Sequence, residues 1–224
     1  MANEWNRGLK ESFERFPKLK ENIKWVGEAY DRNEKLKPVV YDMNLRNLVK
    51  NNPKFTVEKL KPYAEKYTTK FMRGMAIGER NWAQSCSTTE FPELLKFRGV
   101  TFNKKTGKDA SKLLESLKRN VDNKYHPIGC DTIKSILDHE IGHQLDDLLG
   151  IRKIQEIRDL RSVPLKDLTE KLSSYTWDNS SSDRYAEMIA EGWAEYLNNP
   201  NPREYAKKIG EVIEREYKKQ FGGN

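Results

Sequence analysis

Two of the three histidines in this 224-residue chain stand four positions apart, in His139-Glu140-Ile141-Gly142-His143. On a helix, residues i and i+4 share a face, with their Cβ atoms about 5–6 Å apart. Two imidazoles at that spacing can grip one metal ion. A glutamate one residue beyond the first histidine stays within reach of a water on that ion and could take its proton. Zinc suits two imidazoles and a carboxylate, and a catalytic zinc keeps one position for water. A five-residue pattern also arises by chance on surface helices, so its weight depends on the elements that carry it.

Those elements are well marked. Apolar residues recur at helical spacing as Ile133, Ile136, Leu137, Ile141, Leu145, Leu148 and Leu149, which predicts a helix with one buried stripe. Asp131 is placed to cap its start, and Gly150 to end it in a left-handed conformation. Gly142, inside the helix, costs about 1 kcal/mol against alanine; without a side chain it lets another element pass close to the histidines.

A third ligand is available downstream. Residues 185–197 read Tyr-Ala-Glu-Met-Ile-Ala-Glu-Gly-Trp-Ala-Glu-Tyr-Leu, again helical. Glu187, Glu191 and Glu195 fall at i, i+4 and i+8 on one face, while Tyr185, Ile189, Trp193 and Tyr196 mark another. An acidic solvent-facing side would give the same spacing. In the metal reading one glutamate binds the ion and another holds a ligand histidine from behind. Spacing leaves Glu187 and Glu191 level and puts Glu195 last, because it nears the helix end. A hydrolytic site also needs a donor for the oxyanion; Tyr175 and Tyr185 are the tyrosines near enough in sequence to supply one.

The rest of the chain sets the frame. It is long enough for one sizeable core and very polar, with 33% charged residues and a mean hydropathy of −0.90. No run of 18 apolar residues predicts a transmembrane helix. The first residues lack a charged-then-apolar signal region, so the expected location is the cytoplasm, with a virion as the other setting. The net charge of +7 is dispersed among mixed acids and bases, which reads as solvated helix faces and argues against a nucleic-acid surface. Cys86 and Cys130 have no metal-site spacing and are expected as free thiols.

In order, a helix is expected over residues 3–16, a strand over 22–26, a loop or short helix over 28–40, helices near 42–51 and 56–70, a strand over 71–79, irregular chain over 80–97, and a strand over 98–103. Helices follow at 107–124, then, beyond a His126-Pro127-Ile128-Gly129 turn and the motif helix, near 151–160, 165–173, 184–198 and 202–220. This order gives an α+β protein, mostly helical, with a small sheet in the N-terminal half.

The residues resemble a known group. His139-Glu140-x-Gly142-His143-x-x-Asp146-Asp147-x-x-Gly150 is similar to the motif helix of the anthrax lethal factor and Pro-Pro endopeptidase family. Leu172-x-Ser174-Tyr175, followed by Glu187-x-x-Ala190-Glu191, is similar to that family's second zinc-site segment. In overall character the chain most resembles small zincin-like proteins encoded by phages and prophages, often near head genes. The resemblance covers residues 98–220 well and the first 97 weakly.

It implies a zincin-like fold, with an N-terminal mixed lobe over 1–97 and a catalytic region over 98–224. It implies a Zn2+ ion on His139, His143 and Glu187, with Glu140 and Tyr175 in catalysis, and with Glu191 and Asp146 supporting the ligands. The family tyrosine lies seven residues before the zinc glutamate. Here that place holds Ser180, and Tyr175 corresponds by local context only after an insertion of five residues. The expected activity is a zinc metallopeptidase acting on a peptide or protein substrate laid along an edge strand at 98–103. The contrasting expectation is a phage-particle structural or interaction protein, a partner of head components, that retains a non-catalytic metal site.

Overall fold

The protein's structure, a computed structural model, describes residues 2–79, 81–87, 91–177 and 184–222. The chain divides into two compact units, Met1–Ile23 with Gly107–Asn224, and Lys24–Thr106.

The first unit is helical. It contains α1 (Ala2–Arg15), α2 (Leu19–Asn22), α5 (Ala110–Asp122), α6 (Ile133–Leu149), α7 (Gln155–Leu160), α8 (Leu165–Lys171), α9 (Arg184–Asn198) and α10 (Glu204–Phe221). The motif helix α6 lies at its centre and packs against α1, α9 and α10. Leu137, Ile141 and Leu145 from α6 are fully buried, as are Met188 and Ile189 from α9 and Ile209 and Ile213 from α10. Burying each such side chain contributes about 1.5–3 kcal/mol. The N-terminal helix joins this core: Trp5 is buried and its indole N–H donates to the carbonyl of Ile133 at 3.3 Å. Further along, the Asn22 amide donates to the buried Gln144 side chain at 3.1 Å.

The start of α6 differs from expectation by one residue. Thr132, not Asp131, is the cap: its hydroxyl accepts from the Ser135 N–H at 3.0 Å, and the Ser135 hydroxyl accepts from the Thr132 N–H at 3.3 Å. This reciprocal pair satisfies two backbone donors that a single aspartate would not. At the far end Gly150 takes φ 69°, as expected of a left-handed stop.

The second unit holds the sheet. Strands β1 (Trp25–Glu28), β2 (Ala83–Cys86) and β3 (Gly99–Phe102) are ordered β1-β3-β2, with helices α3 (Ala29–Asn51) and α4 (Val57–Gly74) in the same unit. Leu36, Val40 and Met43 from α3 pack with Leu94 and Phe97. The architecture is therefore α+β, mostly helical, with a small mixed sheet in the N-terminal half.

Several local expectations are corrected. Residues 29–40 belong to the long helix α3 and are not a loop, because Glu28 caps it by accepting from the Asp31 N–H at 3.0 Å and because Ala29, Leu36, Val40 and Met43 are buried along it. Residues 71–74 continue α4, and the second strand comes later, at Ala83–Cys86. The 98–103 strand exists as β3, but it is central: it pairs parallel with β1 and antiparallel with β2. Both of its hydrogen-bonding edges are taken, so it cannot receive an added peptide strand there. Cys86 and Cys130 are buried, unbridged thiols. Among the described residues no helix is long and apolar enough to cross a membrane.

Candidate metal centre

Everything that builds the site belongs to the helical unit. His139 and His143 project from one face of α6, and their ring nitrogens Nε2 stand 3.2 Å apart. Glu187, in the first turn of α9, brings its Oε2 to 3.3 Å from His139 Nε2 and 3.5 Å from His143 Nε2. Among the described residues, His139, His143 and Glu187 form a group whose ligating atoms all lie within 4.8 Å of one another and could hold a metal ion.

One further observation fits a cation. Glu187 Oε2 is buried, forms a near-equilateral triangle with the two imidazole nitrogens, and is in hydrogen-bond geometry with neither. A buried carboxylate oxygen without a donor is costly. A carboxylate and two ring nitrogens aimed at one point form a donor set that a divalent ion satisfies.

The charges of the site are coupled. Burial would lower the pKa of His139, but the carboxylates of Glu187 and Glu191 outweigh it and hold the ring well above 6.5. Burial would raise Glu187, and the two histidines pull it well below the usual carboxylate range. Burial also acts to raise Glu191, yet His126 and His139 hold it at about 2.

Glu191 separates cleanly from Glu187. It is 1% exposed and turns away from the Nε2 pair, accepting from His139 Nδ1 at 2.8 Å. It thereby fixes the ring of His139 and leaves Nε2 facing His143 and Glu187. Two more groups hold Glu191. His126 Nδ1 lies 3.1 Å from Oε1, and the Ser173 hydroxyl donates to Oε2 at 2.8 Å.

Neither His126 nor Ser173 was expected at the site. Sequence reading put His126 in a turn, and no spacing rule connects it to α9. The signal available was its rarity: all three histidines of the chain meet in this cluster.

Glu195 does neither job. It is fully buried and accepts from Arg203 through the backbone N–H at 2.9 Å and through the guanidinium Nε at 3.0 Å. The same guanidinium donates to the carbonyls of Glu170 and Leu172. Replacing Arg203 by Met would leave this carboxylate buried without its cation. We expect unfolding free energy to fall by about 3–5 kcal/mol, read by urea denaturation.

Asp146 lies one turn beyond His143, where the chain reverses at Gly150. Its carboxylate accepts from the Arg152 backbone N–H at 2.8 Å and from Arg152 Nε at 2.6 Å, which fastens the end of α6.

Glu140 is buried at 6% exposure, one residue beyond His139. Tyr175 stands close by, its ring centroid 5.9 Å from that of His139 and 5.1 Å from that of His126. Burial, reinforced by the negative charges of Glu187, Glu191 and Glu140, pushes its phenol well above 10. The backbone brings it there. Lys124 takes a left-handed φ of 58°, and the chain on either side of the site then pairs briefly. Ser174 N–H donates to the Lys124 carbonyl at 2.8 Å, and Tyr175 N–H to the Tyr125 carbonyl at 3.1 Å. Tyr185 lies instead beside Arg161, whose guanidinium sits 5.4 Å from the ring centre. Ser180 falls outside the described residues.

The candidate ligands come from two helices, so their separation matters. Gly142 sets it. A Cβ at that position would lie 2.7 Å from the Cα of Ala190 on α9, a backbone atom that cannot turn aside. Asp138 reinforces the approach, its Oδ2 accepting from Lys134 at 2.8 Å and from Asn198 of α9 at 2.7 Å. Gly142→Ala gains about 1 kcal/mol of helix propensity but overpacks at a cost of about 1–3 kcal/mol. We expect a net loss of stability in urea and, because α9 carries Glu187, a weaker hold on metal.

Comparison of the chain with protein-family models, with curated proteins and with solved structures finds no match. The assignment that the residues themselves carry is a candidate metal site, His139, His143 and Glu187, in a mostly helical protein with a small mixed sheet.

Proposed function

We propose that this protein is a zinc-dependent endopeptidase of the zincin type, with His139, His143 and Glu187 as the zinc ligands. The observation that carries the reading is the convergence of two α6 imidazoles and one unpartnered α9 carboxylate oxygen, with a buried glutamate immediately after the first histidine. A structural site needs only its ligands. Glu140 is the residue that a hydrolytic site needs in addition.

Zinc bound there would supply Lewis-acid polarisation of the scissile carbonyl and a water acidified to about pKa 7. The chain supplies the rest. Glu140 takes a proton from the attacking water and passes it to the leaving amine. Tyr175 donates its phenol hydrogen to the developing oxyanion. Glu191 keeps His139 in the orientation and tautomer that present Nε2. The substrate class is a peptide or protein chain.

The test is cleavage of a diverse peptide mixture by the purified protein with one equivalent of zinc, read as new termini by mass spectrometry. The proposal expects cleavage that a chelator abolishes and zinc restores. A mixture left intact by protein that demonstrably holds zinc would contradict it.

A further inference from the structure

The third histidine points to a device behind the ligands. We infer that His126 and Ser173 form a clamp on the Glu191 carboxylate that sets the ligating nitrogen of His139. The inference rests on the metal-centre reading and extends it to two residues that meet Glu191.

Glu191 must do one thing for a metal on His139: accept from Nδ1, so that the lone pair of Nε2 faces the ion. A single hydrogen bond at 2.8 Å leaves a carboxylate free to pivot about its own bond. Two more donors remove that freedom. His126 Nδ1 approaches both oxygens, at 3.1 and 3.3 Å, and the Ser173 hydroxyl approaches Oε2 at 2.8 Å.

The donors arrive from two separate segments. His126 follows the left-handed Lys124 before α6, and Ser173 follows α8. The backbone bonds between 124–125 and 174–175 hold these two segments side by side. At 1% exposure Glu191 has little access to water, so these three side chains supply its partners. Ring contact between His126 and Tyr175, with centroids 5.1 Å apart, ties the clamp to the tyrosine as well. His126 is therefore a positioning residue, acting on the metal through Glu191 and His139.

The test separates the hydrogen bond from the ring. His126→Phe keeps an aromatic ring and removes the donor. His126→Asn removes the ring and keeps an N–H at the place of Nδ1. The probe is Co2+ alone, titrated into the purified full chain against a chromophoric chelator and followed by its visible absorption bands.

Losing the direct partner of a ligand typically costs about 10–100-fold in metal affinity. His126 acts one step further out, through Glu191, so we expect a loss of up to about 10-fold in His126→Phe, with altered cobalt bands, and recovery of both in His126→Asn. Ser173→Ala should shift affinity and bands in the same direction, and it decides the matter if His126→Phe does not fold. Wild-type affinity and bands in His126→Phe, or in Ser173→Ala, would overturn the clamp. So would a His126→Asn protein as impaired as His126→Phe, since ring packing would then be the cause. A wild-type chain that binds no Co2+ would instead remove the metal-centre reading itself.

Discussion

Glu140→Gln should leave metal binding intact and lower peptide hydrolysis by about 10²–10⁴-fold, the range in which a positioned general base contributes. Glutamine has the same shape as glutamate, so the buried position after His139 stays filled and α6 stays packed. What is lost is the ability to accept a proton from water and hand it to the departing amine. The proposed ligands His139, His143 and Glu187 are untouched. The variant should therefore bind one equivalent of zinc and melt with wild-type cooperativity. The measurement is kcat/KM on a peptide found in the cleavage screen, with metal content determined on the same sample. Equal turnover by both proteins would remove Glu140 from the reaction. If cleavage and metal were lost together, Glu140 would be holding the site and not driving its chemistry.

Glu187→Ala should have the opposite signature. Here the metal goes first. Removing the carboxylate takes away one of three ligands and the site's negative charge, and affinity should fall by more than the roughly 100-fold that marks the upper end of an outer-partner loss. Without metal the fold should lose some stability too, because the Glu187 carboxylate is paired with His139 and His143 and held well below its usual pKa range. The two proteins separate in a thermal melt. A ligand at 100 times its Kd stabilises the native state by about 2.7 kcal/mol, so zinc should raise the Tm of the wild type and leave that of Glu187→Ala unmoved. A shared upward shift would place the zinc elsewhere on the chain.

These two effects bear on residues that were legible before any coordinates. The pairing of His139 with His143 follows from helical spacing, and the helix that carries them is written in its apolar stripe and in Gly150. The helix carrying the glutamates is equally plain. The choice between Glu187 and Glu191 is not, because both lie on one face one turn apart. It needs the third dimension, where Glu187 meets the Nε2 nitrogens and Glu191 meets Nδ1.

His126 and Ser173 were invisible for the same reason. They reach Glu191 across 65 and 18 positions of sequence, and no local period encodes such a meeting. The partner of Asp146 was out of reach as well: the turn at Gly150 brings Arg152 onto its carboxylate.

The sheet was read least well. Its three strands have four residues each; alternation located β3 and the start of β1 but not β2. Ala83-Gln84-Ser85-Cys86 has none of the β-branched residues that mark a strand. The polar run Asp31-Arg32-Asn33-Glu34-Lys35 hid the first turns of α3, whose buried face there is carried by Ala29 and the charged Arg32 before Leu36 continues it. The central position of β3 was likewise beyond reach, since strand order is a property of pairing and not of any one strand.

Metal stoichiometry tests most directly whether a metal ion is held at this one place. The purified chain, equilibrated with zinc, passed through a desalting column and assayed by mass spectrometry for metal, should carry one zinc per chain. The same treatment of Glu187→Ala and of His143→Ala should leave almost none. A wild-type chain that retains no metal, or variants that retain as much as the wild type, would contradict the claim that His139, His143 and Glu187 are its ligands.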